Sequence, residues 1–240
     1  MVVQKGDFIK LSYTGKLENG NVFDTTDANA AKEYGLYNEQ ASYGPETIIV
    51  GKGYVVQGLD EDLIGKDVGY KGSVTMPPEK GFGLRRVDQI ETIPVKKFKE
   101  QVRPGMRVTV GGRNGIVESV AGGRARINFN APFAGETLTY EYTIEGQIED
   151  TAEKIVAVIK MYAGKDLEHR IVGDSVIIEV PQEYAYNQRW TMAKSIISSL
   201  IFETGLKEVV YQEIFKKPEA TPKAEETKQE EQKPEEQKPE

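Results

Sequence analysis

Lys10-Leu-Ser-Tyr-Thr-Gly15, Gly20-Asn-Val-Phe-Asp-Thr-Thr26, Ile48-Ile-Val-Gly-Lys-Gly-Tyr-Val-Val-Gln-Gly-Leu59 and Pro77-Pro-Glu-Lys-Gly-Phe-Gly83 are four short blocks. Residues 84–133 part them from a fifth, Ala134-Gly-Glu-Thr-Leu-Thr-Tyr-Glu-Tyr-Thr-Ile-Glu-Gly146. The first four read as short strands broken by Gly, Asn and Pro, with one helix. Phe8, Ile9, Leu11 and Tyr13 make an apolar strand, and Glu18-Asn-Gly-Asn21 carries the Asn-Gly signal of a hairpin turn. Residues 55–64 form a short amphipathic helix with Val55, Val56, Leu59 and Leu63 on one face, and Gly65 fits its C-terminal stop. The longer connection over residues 27–44 holds a helical turn at residues 29–34. Its tyrosines, Tyr34, Tyr37 and Tyr43, are expected to pack against the domain, with the lining of a site as the alternative. How residues 84–133 are read decides whether this is one interrupted domain or several.

That stretch has signals of its own. Residues 95–102, Val-Lys-Lys-Phe-Lys-Glu-Gln-Val, read as one or two helical turns exposing Phe98 and Val102. Pro104-Gly105 then opens a new unit. Met106-Arg-Val-Thr-Val110, Gly115-Ile-Val-Glu-Ser-Val120 and Arg124-Ala-Arg-Ile-Asn-Phe129 alternate or nearly so, with Gly111-Gly112 and Gly122-Gly123 between them. A half-buried sheet of three or four strands follows. About 45 residues cannot build a large core, so some apolar side chains stay exposed. Such a patch usually marks a binding surface.

Residues 151–216 read as a third unit. Ala152, Ile155, Val156, Ile159 and Tyr162 keep helical spacing ahead of Gly164. Residues 170–180 are strand-like around a Gly173-Asp174 turn and end at Pro181. Asn187 caps a helix carrying Trp190, Ala193, Ile196, Ile197, Leu200 and Ile201, which Gly205 stops. A strand over residues 206–215 closes an α-β-β-α-β order. This is a small α/β sandwich near the lower size limit for independent stability, completed either by the neighbouring domain or by a second copy. From Lys217 the chain holds only Lys, Glu, Gln, Pro, Thr and Ala. Residues 217–240 therefore bury too little to offset the entropy of ordering and are expected to be a disordered tail.

The 240 residues are 38% hydrophobic and 29% charged, values of a globular chain with one polar segment. The absence of cysteine excludes disulfides, thiol catalysis and thiolate metal sites. The one histidine, His169, cannot make a metal site alone, and no cofactor is expected. No run approaches the roughly 18–20 apolar residues of a membrane span. The start, Met1-Val-Val-Gln-Lys-Gly-Asp7, opens straight into a strand-like pattern, so a signal peptide is not expected and the cytoplasm is the simplest location. The net charge of −7 is unevenly spread. Residues 217–240 carry five Lys and eight Glu, whereas residues 86–130 carry nine Lys or Arg against four acids. The balances are −3 and +5, which leaves −9 for the remainder. A basic island in an acidic protein suggests partners of its own; solvated Lys and Arg on the rim of a small sheet are the plainer reading.

Tyr-x-Gly, Phe-Asp, Gly-x-x-x-Val-Val-x-Gly-Leu and Pro-Glu-x-x-Phe-Gly stand in this order at residues 13–83, ahead of the block at 134–146. With the interruption set aside, the pattern resembles the FKBP-type peptidyl-prolyl isomerases. An insertion in the flap ahead of the last strand resembles their SlyD-like branch. The resemblance implies an α+β fold, an antiparallel sheet wrapped on a short helix. It implies a discontinuous isomerase domain at residues 1–85 and 131–150, and an inserted flap domain with chaperone function at 86–130. Residues 151–216 would be a C-terminal α/β sandwich like the extension of long archaeal members, ahead of the tail at 217–240. SlyD-like proteins often end in a histidine-rich, metal-binding tail. This tail has no histidine, so that part does not carry over.

A prolyl isomerase must lower a rotation barrier of about 18–20 kcal/mol set by amide resonance. The twisted transition state loses that resonance and is less polar than the planar ground state, so an apolar, water-poor pocket favours it. Each 1.36 kcal/mol so gained is about tenfold in rate. No nucleophile, metal or acid–base pair is required. By resemblance, Tyr13, Phe23, Val55, Val56, Leu59, Phe82 and Tyr140 line such a pocket. Asp24 is its polar member, either accepting a hydrogen bond from Tyr13 or interacting with the strained peptide. Leu59 stands where single-domain members have tryptophan, as in the SlyD-like branch. Phe82 departs from the usual tyrosine. The lost hydroxyl removes one hydrogen bond to a bound carbonyl, worth about 0.5–1.5 kcal/mol, which argues against macrolide binding.

The insert would hold unfolded or nascent segments containing X–Pro bonds near the pocket, raising their effective concentration. Its candidate contacts are Ile93, Val95, Phe98, Val102, Met106, Val108, Ile116 and Val117, about half of them expected to be internal core. Other readings compete. Pro104-Gly-Met-Arg-Val-Thr-Val-Gly-Gly-Arg-Asn-Gly-Ile-Val117 resembles the KOW-type strand–loop–strand of ribosomal and transcription factors. With Arg107, Arg113, Arg124 and Arg126 as its cations, it would make an RNA- or ribosome-binding protein. A holdase with a vestigial pocket is the remaining alternative, with residues 151–216 as interaction unit. A homodimer through those residues is a further expectation, and a membrane partner is not.

Overall fold

Residues 1–184 and 187–215 are described by the computed structural model, so the tail expectation at 217–240 lies outside the described residues. In chain order come β1 (Phe8–Leu17), β2 (Val22–Thr25), α1 (Ala28–Glu33), β3 (Glu46–Ile49), α2 (Gln57–Leu63) and β4 (Lys71–Met76). The interruption contributes β5 (Ile90–Pro94), β6 (Arg107–Val110), β7 (Arg113–Ala121) and β8 (Arg124–Asn128), and β9 (Leu138–Ile148) follows it. α3 (Thr151–Ala163), β10 (His169–Val172), β11 (Ser175–Val180), α4 (Gln188–Phe202) and β12 (Glu208–Glu213) complete the described elements. No helix among the described residues is long and apolar enough to cross a membrane.

β9 is the strand that makes the split pattern one sheet. It lies between β1 and β4, antiparallel to both, with Tyr140 opposite Gly15 on one side and Val74 on the other. β2 and β3 share the far edge of β1, where Asp24 faces Gly15 and Ile49 faces Phe8. α2 packs on these five strands, and between them lie Ile9, Leu11, Leu59, Leu63, Leu138 and Ile144, all fully buried. Burying side chains of that size is worth about 1.5–3 kcal/mol each. The helix begins at Gln57, two residues later than its apolar face suggests, so Val55 and Val56 sit in the lead-in to it, Val55 in a bend. The tyrosine loop departs from expectation. Tyr34 is 49% exposed and Tyr37 is also exposed, stacking on Tyr43 with ring centroids 5.3 Å apart. Lys32 also lies over the Tyr37 ring, 4.8 Å from its centroid, and the Tyr43 hydroxyl accepts from the Asn38 N–H at 2.9 Å.

The inserted sheet has the order β5-β8-β7-β6, antiparallel throughout, and β5 is its fourth strand. Its core is Ile93, Val102, Val117, Ala125 and Ile127. Residues 95–102 form only a 3₁₀ turn at Val95–Lys97, with Val102 buried and Phe98 half-buried, opposite to the expected exposure. Val102 joins the buried core of the sheet with Val117, Ala125 and Ile127, and that tertiary burial overrides the local helical spacing.

The third unit has the α-β-β-α-β order. β11 and β12 are parallel and need a crossover connection, which α4 supplies. The Asn187 side chain accepts from the Trp190 N–H at 3.2 Å and starts that helix. Trp190, Ala193, Ile197, Leu200 and Ile201 face inward, whereas Ile196 is 46% exposed and leaves the expected core face. The core of this unit is continuous with Phe8, Ile49 and Ile148 of the first sheet. The hydroxyls of Tyr54 and Tyr162 meet at 2.7 Å across the same junction, and Lys52 pairs with Glu203 at 2.7 Å. The neighbouring sheet thus supplies part of what so small a sandwich lacks.

Candidate active site

The pocket grows from Gly15. A Cβ there would stand 2.8 Å from Phe23 Cζ and 3.0 Å from Tyr140 Cε1, so glycine lets rings from β2 and β9 meet over β1. Phe23 is the hub, with ring centroids 5.7 Å from Tyr140, 5.9 Å from Phe82 and 4.9 Å from Phe133. Tyr13 joins through Tyr140 at 5.6 Å, and Phe82 touches Phe133 at 5.8 Å. Most of these pairs are edge-on or tilted, the arrangement ring quadrupoles favour, worth about 0.5–1.5 kcal/mol beyond burial. Val55 and Val56 pack on the same core from the lead-in to α2, and Leu59 is fully buried. The lead-in is held by Asp60, a carboxylate only 7% exposed. It accepts from the Gly51 N–H at 2.7 Å and the Gly53 N–H at 3.2 Å. Both glycines have left-handed backbone, φ 76° and 74°, so residues 51–54 are wound around one side chain.

Tyr13 donates its hydroxyl to Glu46 Oε2 at 3.2 Å. The sequence reading left Asp24 two roles, accepting from Tyr13 or meeting the strained peptide, and the Tyr13 hydroxyl acts on Asp24 as well. The pairing of Leu11 with Glu46 carries a second carboxylate to the edge of β1. A phenol has one proton to give, so the two acids compete for it. Burial, reinforced by the charges of Asp24 and Glu46, pushes the Tyr13 phenol well above its ordinary range. Burial and Asp24 do the same to Tyr140. Both rings therefore stay neutral. The Asp24 carboxyl is raised by burial, an effect the Thr25 backbone and the Tyr13 hydroxyl reduce. Glu46 is raised by burial, lowered in part by its bond from Tyr13, and raised again by Asp24. Among the described residues no three His, Asp or Glu side chains are grouped to hold a metal.

Tyr13, Phe23, Phe82 and Tyr140 are thus in one ring cluster with Asp24 beside it, and the two valines and Leu59 belong to the core that supports it. Two neighbours escaped the sequence reading, Glu46 and Phe133. Glu46 opens a short apolar strand, and Phe133 follows Pro132 just ahead of the fifth block; neither position carries a periodic signal. In the insert, Ile93, Val102 and Val117 are buried and cannot contact a client, which corrects their place among the candidate contacts. A sheet of this size has only such residues from which to build its core. Val95, Phe98, Met106 and Val108 are half-buried around them, and Ile116 is 39% exposed.

An antiparallel sheet carrying a partly buried cluster of aromatic rings is equipment suited to an enzyme that twists amides. A family model for FKBP-type peptidyl-prolyl cis-trans isomerase matches residues 1–99, one for the FKBP26 IF domain matches 91–133, and one for the FKBP26 C-terminal region matches 151–216. The short-type peptidyl-prolyl cis-trans isomerase of Methanocaldococcus jannaschii is 34% identical over 142 residues, covering 58% of this chain and 90% of the relative. The FKBP-type peptidyl-prolyl cis-trans isomerase SlyD of Treponema pallidum is 27% identical over 157 residues, 63% of this chain and 81% of the relative. The SlyD of Haemophilus influenzae is 26% identical over 161 residues, 65% and 77%. The chain belongs to the FKBP-type peptidyl-prolyl cis-trans isomerase family, in its SlyD-like branch. Its activity is that of a peptidyl-prolyl cis-trans isomerase.

Proposed function

We propose that the chain captures unfolded or nascent polypeptide on its insert and isomerises X–Pro bonds in the ring cluster by desolvation. A planar amide entering the rings of Tyr13, Phe23, Phe82 and Tyr140 loses water that it needs more than the twisted transition state does. Val55 and Val56 supply apolar contacts from the lead-in to α2, and Leu59 supports them. Asp24 is the group that meets the strained amide, since Glu46 competes with it for the Tyr13 hydroxyl. The observation that carries this reading is Phe133. It lies on the chain returning from the insert, yet its ring rests on Phe23 and Phe82. The outgoing and returning stems are stitched beside it. The Gly135 N–H donates to Gly83 O at 2.8 Å, and Asn130 exchanges hydrogen bonds of 2.7 and 2.9 Å with the backbone of Arg86. Capture and isomerisation share one rim.

The ion pairs within the insert weigh against RNA as partner. Arg113 pairs with Glu91 and lies 4.2 Å from the Phe129 ring centroid, and Arg126 pairs with Glu118 at 3.0 Å, so half of the KOW-like cations are already engaged. The working units are residues 1–85 with 131–150, 86–130 and 151–216, operating in the cytoplasm. Residues 151–216 join two copies through α4, where Met192 and Ile196 are exposed. Light scattering with and without residues 151–240 tests that last point. For the enzyme, a proline-limited protein is refolded with the full chain, with Asp24→Ala/Tyr140→Ala, and with residues 87–130 replaced by a short turn. The pocket variant should lose catalysis on short peptides. The insert deletion should keep it but lose most acceleration on the protein substrate. If both variants refold the protein as well as the intact chain, the reading is wrong.

A further inference from the structure

The turn between β3 and α2 carries the pocket valines, and it is held from two sides. Asp60, inside the isomerase domain, fixes the backbone of Gly51 and Gly53. Beyond Gly53 that hold ends. The Tyr54 and Val55 backbones make no hydrogen bond among the described residues, and Val56, at the start of α2, offers no side-chain cap. What grips this stretch is the Tyr54 side chain. Half-buried, it packs both on the core of the isomerase sheet and on the core of the C-terminal unit. Its hydroxyl meets that of Tyr162, near the end of α3, at 2.7 Å. Lys52, two residues earlier, reaches Glu203 at the end of α4 at 2.7 Å. Both helices of the C-terminal unit thus reach one turn of the isomerase domain, the turn that leads into its pocket.

The two contacts differ in kind. Lys52 and Glu203 are exposed, and an exposed ion pair adds little and fades with salt. The tyrosine pair is more sheltered. Burial, the Tyr162 hydroxyl and the Glu203 charge push the Tyr54 phenol well above its ordinary range, so it stays neutral and its hydrogen bond is not screened. We propose that Tyr162 is a positioning residue for the isomerase pocket: through the Tyr54 hydroxyl it fixes the turn that presents Val55 and Val56 to the peptide. Tyr162 belongs to a different unit from the ring cluster and acts on substrate only through Tyr54. A displacement of about 1 Å in groups that place a substrate can cost about a hundredfold, so a modest loosening is enough to be read. Valines that touch the planar and the twisted amide alike change the binding of both, and the effect then falls on KM rather than kcat. This rests on the reading that puts Val55 and Val56 in the pocket.

Tyr54→Phe and Tyr162→Phe, made in the full chain, each remove one hydroxyl and keep the ring. Each should raise KM for a short X–Pro peptide about 2–5-fold, with kcat within about twofold of wild type. The double variant should be no worse than the worse single, because neither hydroxyl is then left without its partner. Ser198→Ala is the control. It removes the contact between the Ser198 and Tyr211 hydroxyls, 3.1 Å apart inside the C-terminal unit, and should lower the urea midpoint with KM unchanged. A wild-type KM in Tyr162→Phe overturns the proposal, whatever the urea midpoint does, since the contact then supports at most the fold. An equal rise of KM in Ser198→Ala overturns it too, because any loosening of the unit would then suffice. Val55→Ala, assayed alongside, separates this failure from that of the pocket reading. A wild-type KM there takes the valine out of the pocket and overturns both. A raised KM there, with a wild-type KM in Tyr162→Phe, overturns the coupling alone.

Discussion

Phe133 has φ 62°, the one left-handed non-glycine backbone among the described residues. For a bulky side chain that conformation costs about 1–2 kcal/mol. Strain of this size persists where the surroundings impose it, here the Gly135–Gly83 bond and a turn in which Glu136 N–H donates to Phe133 O at 3.1 Å. Two substitutions separate the ring from the backbone. Phe133→Ala and Phe133→Gly should lower kcat/KM on a short X–Pro peptide alike. In urea, the glycine variant should be the more stable of the two by about 1 kcal/mol. Wild-type kinetics in both would remove Phe133 from the pocket. Phe82→Tyr should tighten peptide binding by about 2–10-fold, one hydrogen bond's worth. Asp24 gives a pH signature. Burial raises its folded pKa above the unfolded value, near 4. The folded state then holds the proton more tightly, so this group's contribution to stability falls as pH climbs from about 4 through the raised value. Asp24→Asn should therefore gain in urea midpoint over wild type across that window and level off above it; a flat difference would contradict the account. Asp24 and Tyr13 were readable because their blocks are short and local. Glu46 and Phe133 reach the site through strand pairing and stem stitching, which no local pattern records.

At the scale of elements, legibility followed how local the deciding contact is. The apolar face of α2, the Asn187 cap and the crossover order of the third unit all rest on spacing within one element. β5 was left open because a five-residue strand ending in Pro94 shows no clean alternation. The extension of residues 95–102 was misread because burial of Val102 depends on strands read only later in the chain. The lead-in to α2 is a further case, since its shape depends on a carboxylate inside the following helix. Asp60→Ala would leave the Gly51 and Gly53 N–H groups unpaired at a partly buried loop. The expected loss is about 1–3 kcal/mol in unfolding free energy. KM for short peptides should rise as Val55 and Val56 loosen, with the ring cluster intact in near-UV circular dichroism. A stability loss with KM unchanged would show that Asp60 supports the fold and not the pocket.

For the whole molecule, the split pattern was legible because β9 carries its own apolar alternation and can only be completed by β1 and β4. The docking of the third unit was not, because nothing local marks which outer face of a sheet meets a second layer. Phe8, Ile49 and Ile148 form that face, buried in one cluster with Ile155, Val158 and Ile159. The insert has a separate cluster of five buried residues. Stability should be partitioned accordingly, since cooperative units follow contiguous apolar contact. Removing residues 151–240 uncovers the three side chains, each worth about 1.5–3 kcal/mol when fully buried, and should lower the Tm of the remaining chain by at least about 5 °C. In the intact chain, amides of β7 and β8 should exchange with solvent well before those of β1 and β9. The insert would then open without unfolding the pocket, which lets it wrap a client while the ring cluster stays assembled. Equal protection in both sheets would tie insert and pocket into one unit and remove that freedom. An unchanged Tm after truncation would mean that the shared cluster adds nothing to the stability of the enzyme half.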